Sequence, residues 1–184
     1  RPGTLSARDI GASAQTLNGV LRARGSIDNV LTLKGLSLDV SLQALPLAQL
    51  AAVFQGDDAV ALTKALPGLL SGSAKVSGHR NSIAVEGIDL SLMGGEAVGA
   101  TLQGRASLRD GVPTAQIEVA YRLDDRDLIV TLTGQRLAPG SGSVVLDYRP
   151  RQVVVVLRSL MGDSDISAVL NATRDEGDLS ELDL

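Results

Sequence analysis

The segment 72–109, GSAKVSGHRNSIAVEGIDLSLMGGEAVGATLQGRASLR, contains the clearest strand pattern in the chain. From Val98 to Arg109, apolar residues alternate with polar residues and glycine. A period of two is typical of a strand with one apolar and one solvated face. Just before this strand, the phase of the alternation changes at Glu86 and Gly87. Such a change predicts a β-bulge built on glycine.

A related pattern occurs earlier in the chain. LTLKGLSLDV (31–40) aligns with IAVEGIDLSL (83–92), and GVLRARG (19–25) aligns with GSAKVSG (72–78), with the glycines at matching places. Repeats of about this length are typical of stacked supersecondary units, although amphipathic strands can also resemble each other by chance. We therefore predict one β-rich domain, 1–184, built from repeats: unit 1 over about 14–71, unit 2 over about 72–124, and a weaker third part over 125–184.

The remaining segments predict a mainly β protein with a short helical insertion near residues 44–70. In this insertion, Leu45 and Pro46 are expected to begin a helix whose apolar residues recur at helical spacing. After Arg109 the alternation predicts further strands, with residues 124–127 as a polar hairpin loop and a strand containing Leu128, Val130 and Leu132. The expected result is a curved antiparallel sheet of about nine or ten strands joined by short turns.

The composition excludes several classes of function. The net charge is −4 and the charged residues are scattered, so nucleic acid is not an expected partner. There is no cysteine, and the one histidine, His79, has no second histidine to share a metal. No serine, lysine or carboxylate forms a recognisable nucleophile–base pattern. We therefore expect neither enzymatic activity nor a cofactor, while a hydrolase with an unrecognised site remains a minority alternative.

The alternation gives the strands one shared apolar face. This face is aliphatic, because aromatic residues make up only 2% of the chain. If the sheet curls without closing, this face becomes a groove that accepts acyl chains, at about 0.8 kcal/mol per buried CH₂. The alternative is a closed β-sandwich or barrel that binds a protein partner through the loops at 110–113, 124–127 and 138–143. The predicted groove lining comprises Leu31, Leu33, Leu36, Leu38, Val40, Ile83, Val85, Ile88, Leu90, Leu92, Val98, Leu102, Leu108, Ile117, Val119, Leu123, Val130 and Leu132.

Two segments resemble the AsmA-like and TamB-like proteins of Gram-negative bacteria: VLTLKGLSLDVSLQALPLAQL (30–50) and SIAVEGIDLSLMGGEAVGATLQGRASL (82–108). The resemblance covers about residues 14–135 and rests on apolar alternation and glycine. It implies a taco-like β-groove in the periplasm, anchored to the inner membrane by a helix outside this fragment. It also implies a role in moving phospholipid or another acyl-chain lipid towards the outer membrane, or in outer-membrane biogenesis, alongside adjacent segments of the same chain. The family has no active-site motif to transfer.

Overall fold

The computed structural model describes residues 6–15, 19–30, 34–47, 68–133 and 136–173. In these ranges ten strands form one antiparallel sheet in chain order, and an eight-residue helix, α1, lies between β7 and β8. The elements are β1 (Ala7–Gln15), β2 (Val20–Asn29), β3 (Lys34–Pro46), β4 (Leu69–His79), β5 (Ser82–Gly94), β6 (Val98–Arg109), β7 (Val112–Leu123), α1 (Arg126–Thr133), β8 (Gly140–Arg149), β9 (Gln152–Met161) and β10 (Ser164–Thr173).

The sheet is curved and open, which confirms the predicted fold class. Each described strand pairs with its sequence neighbours, and the outermost described strands, β1 and β10, do not pair with each other. The closed sandwich or barrel is therefore wrong as a fold. Within the described residues the sheet is a meander, because each strand lies beside the previous one, and no second sheet covers its apolar face.

The register gives the sheet two unlike faces. Residues directly opposite each other in an antiparallel pair lie on the same face, and Leu102 lies opposite Leu90 on β5 and Val119 on β7. We call this side the aliphatic face. Their sequence neighbours belong to the polar face, where Gln103 lies opposite Asp89 and Glu118.

Glycines allow neighbouring strands to approach closely on the aliphatic face. There, a Cβ added at Gly104 or Gly142 would collide with a backbone carbonyl oxygen of the next strand. On the polar face, a Cβ at Gly11 or Gly99 would meet nothing within 4 Å.

The bulge predicted at Gly87 is confirmed. Strand β5 has one extra residue relative to β6 between Val85 and Ile88, and a matching shift occurs against β4. Gly87 has φ 56°, a left-handed conformation that glycine adopts readily. Its sequence counterpart Gly35 is also left-handed, with φ 69°. The pairing of β2 with β3, however, continues without a register shift as far as Lys34.

A further bulge interrupts β3 close to Ala44. The register between β3 and β4 shifts between Leu42 and Leu45, and Ala44 adopts a left-handed φ of 49°. The N–H of Ala44 donates a hydrogen bond to the hydroxyl of Ser71 at 3.0 Å. This side chain replaces the ladder partner that the bulge removes.

Two local predictions are wrong. Residues 124–127 are not a hairpin loop, and the segment with Leu128, Val130 and Leu132 is not a strand, because α1 begins at Arg126 and ends at Thr133. Leu45 and Pro46 do not begin a helix, because β3 continues through both; the rest of the predicted insertion, residues 48–67, lies outside the described residues. In the part of the chain that the structure describes, no helix is long and apolar enough to cross a membrane.

Candidate binding trough

Most of the predicted groove lining lies together on the aliphatic face. The register carries this face from β3 across to β7 without interruption. The predicted residues on it are Leu36, Leu38, Val40, Ile83, Val85, Ile88, Leu90, Leu92, Val98, Leu102, Leu108, Ile117, Val119 and Leu123. We call this aliphatic surface the trough.

The other predicted members have different positions. Leu31 and Leu33 lie outside the described residues. Val130 belongs to α1 and is exposed, so it does not continue the strand face. Leu132 also lies in α1, and its side chain is outside the described part of the chain.

The trough also extends beyond the predicted set, over β8 and β9. Val119 lies opposite Val144, and Val144 lies opposite Leu157. The strand alternation of β8 could have identified this extension from the sequence. Other trough residues outside the predicted lining are Val76, Tyr121, Leu146, Tyr148, Val153 and Val155.

The floor of the trough is only partly covered. Along β5 and β6 its residues, such as Leu90 and Leu102, are half-buried rather than buried. In the described ranges the strands pack against their neighbours, and no element crosses the middle of this face. A large apolar surface is therefore left partly exposed within these ranges.

The buried apolar residues cluster at one end of the trough, which we call the closed end. Among the described apolar residues the buried ones are Leu45, Val98, Leu128 and Ile129. They belong to the end of β3, the start of β6 and α1, which all lie at the same end of the sheet.

Helix α1 is capped at its first turn. The Asp125 carboxylate accepts hydrogen bonds from the backbone N–H groups of Asp127 and Leu128, at 2.9 and 3.0 Å. This is an N-cap, which satisfies donors that the first helical turn leaves unpaired. Leu128 and Ile129, which follow the cap directly, are buried.

The opposite end carries a basic rim. The turns there place Arg80, Arg109, Arg149 and Arg151 at successive hairpins, with Asp110 among them. A depression of about 400 Å³ joins this rim to the trough, lined by Arg80, Asn81, Ile83, Leu108, Asp110 and Gly111. A cation and two aliphatic trough residues thus border the same space.

The charge is reversed at the closed end. Acidic residues follow the ends of β5, β7 and β9 there. The described acidic residues of this end are Glu96, Asp124, Asp125, Asp127 and Asp163, which outnumber its basic residues Arg122, Arg126 and Arg136; Arg122 pairs with Asp124 at 3.2 Å. The trough therefore runs from a basic open end to an acidic closed end.

The buried polar group of the trough is satisfied. The Tyr121 hydroxyl donates a hydrogen bond to Oγ of Ser159 at 2.9 Å, and Oγ of Ser159 donates to the carbonyl of Ser141 at 3.5 Å. Ser159 is 3% exposed. These contacts give the serine hydroxyl no basic partner, so they do not form a nucleophile–base pair.

The polar face carries a hydrogen-bonded row across β6, β7 and β8. The guanidinium of Arg105 donates to Gln116 at 2.9 Å, and the amide of Gln116 donates to Asp147 at 3.3 Å. Arg149 donates to both carboxylate oxygens of Asp147, at 3.1 and 2.8 Å. The hydrogen bond from Arg149 lowers the pKa of Asp147, and this effect outweighs the smaller opposing effect of burial.

In the described ranges, no group of three or more histidine, cysteine, aspartate or glutamate side chains is placed to hold a metal ion. No family model, curated protein or solved structure matches the chain. The trough is therefore interpreted from its own geometry.

Proposed function

We propose that the trough binds the acyl chains of lipids, and that the chain is a non-enzymatic segment of a protein that guides phospholipid between the membranes of a Gram-negative envelope. The observation that carries the proposal is the continuous aliphatic face with no described element across its middle. Large exposed apolar surfaces of soluble proteins mark binding sites. A trough of leucine, valine and isoleucine offers an acyl chain nonpolar contact without hydrogen-bond demands.

The charge distribution supports one orientation of the ligand. The acyl chain lies along the trough towards Val98 and Ile129 at the closed end. An anionic headgroup stays at the basic rim, beside Arg80. In this arrangement the headgroup remains hydrated while the tail is covered, as for an amphiphile at a membrane surface.

A chain-length series tests the proposal. The dissociation constants of decyl, dodecyl and tetradecyl phosphate are measured by calorimetry, below the concentration at which each forms micelles. Burial of each added CH₂ contributes about 0.8 kcal/mol, so affinity is expected to rise roughly fourfold per CH₂. Native mass spectrometry after gentle purification tests independently for copurified lipid.

A matched pair of variants tests whether the lipid binds on the trough. Leu102→Arg puts a charge on the aliphatic face, whereas Gln103→Arg adds the same group to the exposed polar face of the same strand. Leu102→Arg is expected to lose lipid while keeping the strand content measured by circular dichroism, and Gln103→Arg to bind as the wild type does. A lipid-free wild type with no chain-length dependence, or a Leu102→Arg variant that unfolds instead of losing lipid, would overturn the proposal.

A further inference from the structure

Three arginine side chains border one depression on the polar face, at the middle of the sheet. The depression has a volume of about 420 Å³, and its cations are Arg105, Arg109 and Arg149. Its other polar lining residues include Ser107, Thr114 and Gln116, from β6 and β7. A volume of this size is typical of a site for a small molecule.

Two of the three guanidinium groups are held in place by neighbouring side chains. Nε and Nη2 of Arg105 donate hydrogen bonds to Oε1 of Gln116, at 2.9 and 2.5 Å. Nε and Nη2 of Arg149 donate to the carboxylate of Asp147, at 3.1 and 2.8 Å. A guanidinium has five N–H donors, so each arginine keeps three that these bonds do not use. Because both side chains are already ordered, binding a ligand costs them less conformational entropy.

A pair of hydroxyl groups adds a neutral donor to the same depression. Oγ of Ser107 and Oγ1 of Thr114 lie 2.8 Å apart and form a hydrogen bond. Each hydroxyl carries one hydrogen, so their shared bond uses one hydrogen and leaves the other for a further acceptor. Both residues line the depression. The depression therefore offers charged and neutral donors to one ligand.

The charge of the depression is positive after its own ion pair is counted. The two carboxylates that line it are Glu86 and Asp147. Arg149 neutralises Asp147 at 2.8 Å, and Glu86 lies opposite Lys75 of β4 in the register. Arg109 forms no ion pair in the part of the chain that the structure describes. An anion in the depression would therefore gain a cation that no carboxylate already engages.

We propose that this depression binds the phosphate group of a soluble phosphate monoester. The planar fork of a guanidinium matches the oxygens of a phosphate, and a phosphate monoester offers three strong acceptor oxygens. The fixed guanidiniums of Arg105 and Arg149, the unpaired Arg109 and the spare hydroxyl hydrogen supply donors for them. The sheet separates this site from the trough, so the proposal does not depend on lipid binding there.

A titration followed by proton–nitrogen correlation NMR tests the proposal. The probes are inorganic phosphate and glycerol phosphate, added at constant ionic strength, with uncharged glycerol as the control ligand. Both phosphates are expected to give saturable shifts of the backbone amides of Ser107 and Thr114 and of the Arg105 Nε–H. Glycerol is expected to give none. Shifts that do not saturate, or that spread over all exposed arginines, would overturn the proposal.

Two charge variants of the polar face test the role of the unpaired arginine. Arg109→Gln is expected to raise the dissociation constant for glycerol phosphate about three- to fivefold, the effect of one exposed charge. Arg158→Gln makes the same change on the polar face of β9, outside the depression, and is expected to bind as the wild type does. Equal losses in the two variants would show that net charge alone attracts the phosphate, and would contradict a site.

A gain of affinity provides a test that loss of folding cannot mimic. Glu86→Gln removes a carboxylate from the depression and is expected to lower the dissociation constant for glycerol phosphate about two- to threefold. An unchanged or weaker affinity in this variant would contradict the proposed position of the phosphate. An uncharged dodecyl glycoside is expected not to displace glycerol phosphate. Displacement would place the phosphate in the trough and overturn the assignment to the polar face.

Discussion

The hydroxyl of Tyr121 on β7 reaches Ser159 on β9 at 2.9 Å, across the intervening strand β8. Gly142 of β8 lies between them, opposite both residues in the register. The aromatic ring can span β8 only because this position has no side chain. The contact joins three strands on the aliphatic face and places one of the chain's two tyrosines in the trough.

Substitution of Gly142 by alanine is therefore expected to destabilise the fold. The added Cβ would lie 2.8 Å from the Tyr121 hydroxyl and against the carbonyl oxygen of Arg158. We expect a loss of about 1–3 kcal/mol in the free energy of unfolding, typical of overpacking, measured by urea denaturation. Tyr121→Phe should cost about 1 kcal/mol, the net value of one hydrogen bond. Gly99→Ala is the control, because its Cβ would meet nothing within 4 Å; an equal loss there would contradict the explanation.

Residue alternation predicted most of the strands and their shared aliphatic face, but it left open whether the sheet closes. It failed after Asp124, because the run LIVTL (128–132) is short and apolar, and periodicity does not distinguish a strand from a buried helix at that length. The Asp125 N-cap favours a helix here. In the sequence this signal is weak, because the segment 124–127 contains three aspartates and any of them could serve as a cap. The closed end could not be predicted either, because it depends on how distant strand ends meet.

The N-cap of α1 should contribute measurably to stability. Asp125→Ala removes the acceptor of two backbone hydrogen bonds and is expected to cost about 1 kcal/mol. Ile129→Ala creates a cavity at the closed end and is expected to cost about 2–5 kcal/mol. Val130→Ala, at an exposed position of the same helix, should change stability by less than about 0.5 kcal/mol. Similar losses of stability for Ile129→Ala and Val130→Ala, measured by thermal unfolding, would contradict the expected contribution of the buried Ile129 side chain.

The left-handed glycines Gly35 and Gly87 should respond differently to alanine. At Gly87 the φ of 56° is unfavourable for alanine, but the added Cβ would meet nothing within 4 Å, so the expected cost is about 1 kcal/mol. At Gly35 the Cβ would also collide with the Asp28 carboxylate, so the cost should be larger. Asp28→Ala combined with Gly35→Ala should recover the difference, a coupling that a double-mutant cycle measures. Additive losses would show that the Asp28 side chain does not cause the penalty.

Acid should weaken the hydrogen-bonded row on the polar face. The hydrogen bond from Arg149 lowers the pKa of Asp147 in the folded state. A carboxyl whose folded pKa is depressed stabilises the fold above its unfolded pKa, and this contribution is lost as the pH falls through the lower folded value. Asp147→Asn should therefore reduce the loss of stability between about pH 5 and pH 2, measured by urea midpoints. Asp39→Asn is the control, because Asp39 forms no ion pair within the described residues; an identical effect there would contradict a specific role for Asp147.

The basic rim should favour anionic amphiphiles if their headgroup rests beside Arg80. Arg80→Glu places a negative charge in the depression that joins the rim to the trough. Its affinity for dodecyl phosphate is expected to fall roughly three- to tenfold at low salt, and by less at high salt, because exposed charges interact weakly and are screened. Its affinity for an uncharged dodecyl glycoside should not change. Arg136→Glu makes the same change of net charge at an exposed position near the closed end, and this variant should bind both ligands as the wild type does. If calorimetry gives equal losses for the two variants, net charge and not the rim governs binding; if the glycoside is also lost, Arg80 acts through the fold of the trough.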